Sequence, residues 1–138
     1  MGLENGIRIK GKNPEAQRWL LEYAIRNNLE IVEGGEVEIA YWRKYWNVRA
    51  KIEEMVKGFK VGDDTPLTFV DLVTITHICE GFITKRYNWE DDRGCLWEWI
   101  RGVKNLAQII IDINSFLADA DYEDFEENDF EIYFYDSF

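Results

Sequence analysis

Apolar residues recur in this chain with two periods: steps of three and four in the long stretches, and steps of two in short ones near its start and end. From Glu36 to Phe59, the residues Val37, Tyr41, Val48, Ile52, Met55 and Phe59 fall on one helical stripe, with Ala40, Tyr45 and Val56 beside it. The spacing predicts one central helix over 36–59. A glycine hairpin at Gly34-Gly35 would make 36–41 a strand instead, but the stripe begins at Val37 and favours the helix.

The other elements follow in order. Ile7 and Ile9 alternate in GIRIK and predict a short strand. Asn13-Pro14 is a helix start, with Ala16, Trp19, Leu20, Tyr23 and Ala24 as the apolar face of a helix reaching about Asn27. Leu29, Ile31 and Val32 predict a second strand, and strand, helix and strand so close together suggest a βαβ unit. Residues 61–66 (VGDDTP) read as a loop. Thr68 and Asp71 stand at capping spacing before Phe69, Leu72, Ile75, Cys79, Phe82 and Ile83. Asn88 and Asp91 open a last helix, whose stripe runs from Leu96 to Leu117 and whose middle, Ile109-Ile110-Ile111, is apolar most of the way round. Phe130, Ile132 and Phe134 alternate with Glu131, Tyr133 and Tyr135, a strand expected to pair with the first one at a sheet edge. The fold class expected is α+β: a small sheet of two to three strands with four helices, in the order β-α-β-α-α-α-β.

Composition narrows the class. With 138 residues, 46% apolar, and six Trp, seven Tyr and eight Phe, the chain is long and apolar enough for one domain with a real core over 1–138. No run of about 18 apolar residues predicts a membrane span, and MGLENGIRIK lacks the apolar segment of a signal peptide. The two cysteines, Cys79 and Cys95, are not closely paired and read as buried thiols in a reducing cytoplasm.

Charge changes the picture more. The net charge is −11, yet residues 112–138 hold ten Asp and Glu and no Lys or Arg. The chain therefore ends in an acidic, aromatic segment over 119–138. Such a field repels nucleic acid and attracts basic surfaces. Direct nucleic-acid binding is not expected.

Candidate chemistry is sparse. Asp119, Asp121 and Glu123 fit the first positions of a calcium loop, but Asp124 stands where the glycine is required and Phe130 where the glutamate is, so an EF-hand is rejected. His77, the only histidine, falls off the stripe of its helix and has no nucleophile or base at a useful spacing. No phosphate-cradling loop, zinc spacing or nucleophile elbow occurs. No catalytic residue, metal ligand or cofactor is expected.

Two clusters remain. Trp42, Arg43, Lys44, Trp46 and Arg49 combine stacking faces with cations suited to phosphate. Asp119, Asp121, Tyr122, Glu123, Asp124, Phe125, Glu126, Glu127 and Asp129 interleave carboxylates with aromatics and suit a basic protein partner.

Tyr41-Trp42-Arg43-Lys44 with Val48 resembles a helix motif of an uncharacterised family of small phage and prophage proteins, Tyr-Trp-Arg-Lys-Ala-Asn followed by Ile-His and an aromatic. The close, Tyr133-Phe134-Tyr135-Asp136-Ser137-Phe138, is similar in kind to that family's Tyr-x-Ser-Ser-Trp-like tail. This chain departs at Tyr45-Trp46 and at Arg49, where the family has Ala-Asn and His. The resemblance implies a phage setting and no activity. Three readings follow. The first is a non-enzymatic counter-defence protein whose acidic surface covers a basic, nucleic-acid-binding host protein, as a CRISPR inhibitor would. The second is a sponge for a small nucleotide immune signal through Trp42 to Arg49. The third is a structural or accessory phage protein, with a homodimer through exposed aromatics.

Overall fold

The computed structural model describes residues 3–84, 96–119 and 129–138. Five strands form one antiparallel sheet: β1 (Glu4–Gly11), β2 (Glu30–Ile31), β3 (Val37–Arg43), β4 (Asp64–Leu67) and β5 (Phe130–Ser137), in the spatial order β2-β3-β1-β5-β4. Four helices cover one face: α1 (Pro14–Arg26), α2 (Trp46–Met55), α3 (Phe69–Ile83) and α4 (Leu96–Asp119). The α+β class and the helix count agree with the sequence pattern, but the sheet has five strands rather than two or three. Among the described residues no helix is long and apolar enough to cross a membrane.

The helix starts form as their capping residues dictate. The Asn13 side chain accepts the Ala16 N–H at 2.8 Å, with Pro14 in the first turn where a missing N–H costs nothing. Thr68 and Asp71 make a reciprocal capping box on α3. The predicted start of the last helix at Asn88 and Asp91 lies outside the described residues.

The predicted central helix is instead β3 followed by α2. The reason is a bulge. Ile7 of β1 pairs with Ala40, and the next residue, Arg8, pairs with Glu38, so Ile39 is an extra residue in β3. Val37, Ile39, Ala40 and Trp42 are all buried. Their spacing is two, one, two, which breaks the strand period and places Val37, Ala40 and Tyr41 at helical steps. Lys44 then takes a positive φ of 64°, and α2 begins at Trp46. Met55, assigned to the apolar stripe, is half exposed.

Three further expectations are corrected. The predicted loop 61–66 contains most of β4: Thr65 and Leu67 point into the core opposite Phe134 and Ile132. Pro66 is tolerated because β4 is an edge strand. The strand β5 does pair with β1, over the full register from Glu4↔Ser137 to Gly11↔Phe130, but it lies inside the sheet, between β1 and β4. The βαβ unit is absent among the described residues: every strand pair is antiparallel, and β2 neighbours β3, not β1.

The core lies between the sheet and the helices. Ile7, Ile9, Phe130, Ile132 and Phe134 meet Leu20 and Ala24 of α1, Ile52 of α2, Leu72 and Ile75 of α3, and Leu106 and Ile109 of α4 in one cluster. Among the described side chains of α4 the buried apolar ones lie on one face, Val103, Leu106, Ile109, Ile113 and Leu117, while Ile111 is 58% exposed. Cys79 is a buried free thiol, which burial pushes well above its ordinary pKa, and His77 is exposed.

Candidate functional site

The five residues of the Trp42–Arg49 cluster do not share a face. Trp42 is 1% exposed and points into the core against Gly102 of α4. A Cβ at position 102 would lie 2.5 Å from the Trp42 Nε1, so glycine permits this approach. Arg43 points the opposite way, 3.7 Å from Glu4. Lys44 sits in the turn, its N–H donating to the Leu3 carbonyl at 2.8 Å. Trp46 is 49% exposed and stacks on Phe138, with ring centroids 6.4 Å apart.

Arg49 is committed to the fold. Its Nε and Nη2 donate to the two oxygens of Asp136 at 2.8 and 2.7 Å, and its Nη1 reaches Glu53 at 3.1 Å. The guanidinium lies 5.4 Å from the Phe59 ring and 5.2 Å from the Phe138 ring. Asp136 also accepts from Asn5 Nδ2 at 2.7 Å and from the Gly62 N–H at 2.9 Å. Burial alone would raise this carboxyl; the Arg49 guanidinium, the Gly62 N–H and the Asn5 amide outweigh it and hold it below the usual carboxylate range. The cluster ties α2, β1, β5 and the turn before β4 together. Trp42 and Arg49 are thus structural residues in this fold.

Of the acidic candidates, the ends are placed. Asp119 is exposed at the last position of α4. Asp129 stands just before β5, where its Oδ1 accepts from Asn13 Nδ2 at 2.8 Å and its carbonyl accepts the Lys12 N–H at 2.8 Å. Asp121, Tyr122, Glu123, Asp124, Phe125, Glu126 and Glu127 lie outside the described residues. The aromatic close of the chain divides between two faces: Phe130, Ile132 and Phe134 enter the core, while Tyr133 and Tyr135 point to the outer face.

That outer face of the sheet carries a polar network. Glu38 accepts from Arg8 Nε and from the Tyr135 hydroxyl, each at 3.1 Å. Arg8 lies over the Tyr135 ring at 4.7 Å, and the ring covers Gly6, where a Cβ would lie 2.5 Å from its hydroxyl oxygen. The Tyr41 hydroxyl donates to Glu4 at 3.0 Å. Burial raises the Tyr135 and Tyr133 hydroxyls above their ordinary pKa, and the neighbouring carboxylates Glu38 and Glu36 add to it. The network needed the register of β1, β3 and β5, which no local spacing reveals. The nearest sequence signal is the alternation of Gly6 and Arg8 with Ile7 and Ile9, matched by Tyr133 and Tyr135.

Two grooves open at the helix edges. One, of about 320 Å³, lies between β3 and α4 beside Asn28, Glu30, Tyr41, Arg101 and Asn105. The other, of about 570 Å³, lies between α1 and α4 and is lined by Trp19, Tyr23, Phe116, Arg26, Asp112 and Asp119. Both were missed from sequence, because each depends on how α4 lies across the sheet. Among the described residues no group of three or more His, Cys, Asp or Glu side chains is arranged to hold a metal ion. Comparison with known protein families, with curated proteins and with solved structures finds no match to this chain.

Proposed function

We propose that this protein acts by binding rather than by catalysis, and that it presents an acidic surface to a basic protein. The observation that carries this reading is the charge distribution: ten Asp and Glu with no Lys or Arg across residues 112–138, inside a chain of net charge −11. The fold supports it by holding Asp119 on α4 and Asp129 beside the cap of α1, so the acidic segment 120–128 joins two ordered elements. Fields of this sign repel phosphate and steer basic surfaces. A partner surface that normally meets nucleic acid suits it best, and covering that surface inhibits the partner. The setting we propose is phage counter-defence in a host cytoplasm, with a CRISPR-like defence protein as target. That part rests only on the resemblance of Tyr41 to Lys44 and of the closing segment.

Sequestration of a small nucleotide by Trp42, Arg43, Lys44, Trp46 and Arg49 gains no support from their placement, since Trp42 is buried and Arg49 is paired with Asp136. Native mass spectrometry of the protein purified from infected cells tests the choice. A co-purifying basic protein is expected; a bound species of a few hundred daltons would favour the nucleotide reading. With that partner, replacing Glu123, Asp124, Glu126 and Glu127 by their amides slows association about tenfold and flattens its salt dependence. Unchanged kinetics would overturn the proposal.

A further inference from the structure

We infer that the groove between β3 and α4 binds a small zwitterion of amino-acid size, with its carboxylate toward Arg101 and Asn105 and its ammonium toward Glu30 and Asn28. None of these four residues belongs to the acidic segment, so this site and the acidic-surface reading stand or fall separately.

The fold holds the two walls apart. One wall is α4, where Arg101 and Asn105 are four residues apart and therefore neighbours along one face. Gly102, beside Arg101, packs against the buried Trp42 indole, which sets how closely this wall approaches β3. The other wall is the connection from α1 to β2. There Asn28 takes a positive φ of 54°, which asparagine tolerates, and the Leu29 N–H donates to the Ala24 carbonyl at 2.9 Å. That turn brings Asn28 and Glu30 to the groove, with Ile39 and Ala40 of β3 between the walls.

The polar groups of this groove divide into two sets. Glu38 and Tyr41 are committed to the sheet: Glu38 accepts from Arg8 and Tyr135, and the Tyr41 hydroxyl donates to Glu4. The side chains of Asn28, Glu30, Arg101 and Asn105 make no hydrogen bond or ion pair among the described residues. Arg101 and Glu30 carry opposite charges and line one groove without meeting. The space between them thus has a positive side at α4 and a negative side at β2.

Charge and volume together select the ligand. A simple anion would answer Arg101 and leave Glu30 desolvated without a counter-charge, and a simple amine would do the reverse. A molecule with a carboxylate at one end and an ammonium at the other answers both. The guanidinium fork suits the carboxylate, and the two asparagine amides supply further donors and acceptors. The groove holds about 320 Å³. A cavity of about 150 Å³ takes one benzene, so this one takes roughly a dozen non-hydrogen atoms. That admits a single amino acid as long as lysine. A nucleotide is too large and would set its phosphate against Glu30.

NMR titration of the full chain with 6-aminohexanoate, hexanoate and hexylamine tests this. The zwitterion is expected to shift the amide signals of Asn28, Glu30, Arg101 and Asn105 and to bind about tenfold more tightly than either singly charged analogue. Arg101→Met and Glu30→Gln, both at exposed positions where the fold is not at stake, should each weaken it about tenfold, to the level of the analogues. Saturable binding that both variants leave intact would place the ligand elsewhere and overturn the inference. Equal binding of all three compounds would show a slot for the alkyl chain alone and overturn it too. No saturable shift from the zwitterion overturns it outright, and leaves the acidic-surface reading untouched.

Discussion

Arg49 and Asp136 meet in a two-pronged pair at 2.8 and 2.7 Å, although 87 residues separate them in the chain. The Asp136 side chain is 0% exposed, and every donor around it belongs to a different element from its own. Removing one partner therefore leaves a charge that water cannot reach. Arg49→Leu should destabilise the fold by about 3–5 kcal/mol, the range found when one member of a buried pair is deleted. Urea unfolding reads this directly, and a loss under about 1 kcal/mol would show that solvent reaches Asp136.

The same carboxylate sets an acid limit. Its folded pKa lies below the unfolded value of about 3.9. The stability it contributes is thus fully present above that value and is lost as pH falls through the lower folded one. Stability measured by denaturant between pH 5 and pH 2 should fall, and Asp136→Asn should start lower and fall less steeply. Parallel slopes for the two proteins would remove Asp136 from the account.

The bulge in β3 gives an unusual deletion test. Taking out Ile39 restores a regular period of two and leaves Val37, Ala40 and Trp42 facing the core. The variant should fold, with a cost of about 2–5 kcal/mol for the lost buried side chain. Deleting Tyr41 instead turns Trp42 to the outer face and should abolish cooperative unfolding. Far-ultraviolet circular dichroism with thermal melts separates the two outcomes.

Two glycines should respond differently to alanine. At Gly6 the obstacle is the Tyr135 hydroxyl end, which can swing outward at the expense of its bond to Glu38. At Gly102 it is the buried Trp42 indole, which has nowhere to go. Gly102→Ala should destabilise by about 1–3 kcal/mol despite the helix preference for alanine, and by more than Gly6→Ala. A Gly102→Ala protein as stable as the parent in urea would mean that α4 can slide along β3.

Local signals made the helix starts and the last strand legible. Asn13-Pro14 and Thr68 with Asp71 specify caps within a few residues, and Phe130, Ile132 and Phe134 keep a clean period of two. The strand β3 was hidden because one inserted residue gave it helical spacing. The strand β4 was hidden because Asp64 and Pro66, on either side of Thr65, are poor strand formers, held there by β5 rather than by preference. Trp42 and Arg49 looked like a binding face because their partners, Gly102 and Asp136, lie far along the chain. The Trp19 groove was invisible for the same reason: Asp112, Phe116 and Asp119 come to α1 only through the tertiary fold.

The position of β5 between β1 and β4 has a consequence for synthesis. Until residues 130–137 leave the ribosome, β1 has an unpaired edge and β4 has no neighbour at all. The nascent chain can form α1 and the β1–β3 pair, but its sheet stays in two pieces. The order of assembly is then set by β5, which is made after both of its neighbours, inserts between them like a keystone and closes both edges in one step. Folding of this kind is slow for its length, and chains stalled before residue 130 expose strand edges open to aggregation.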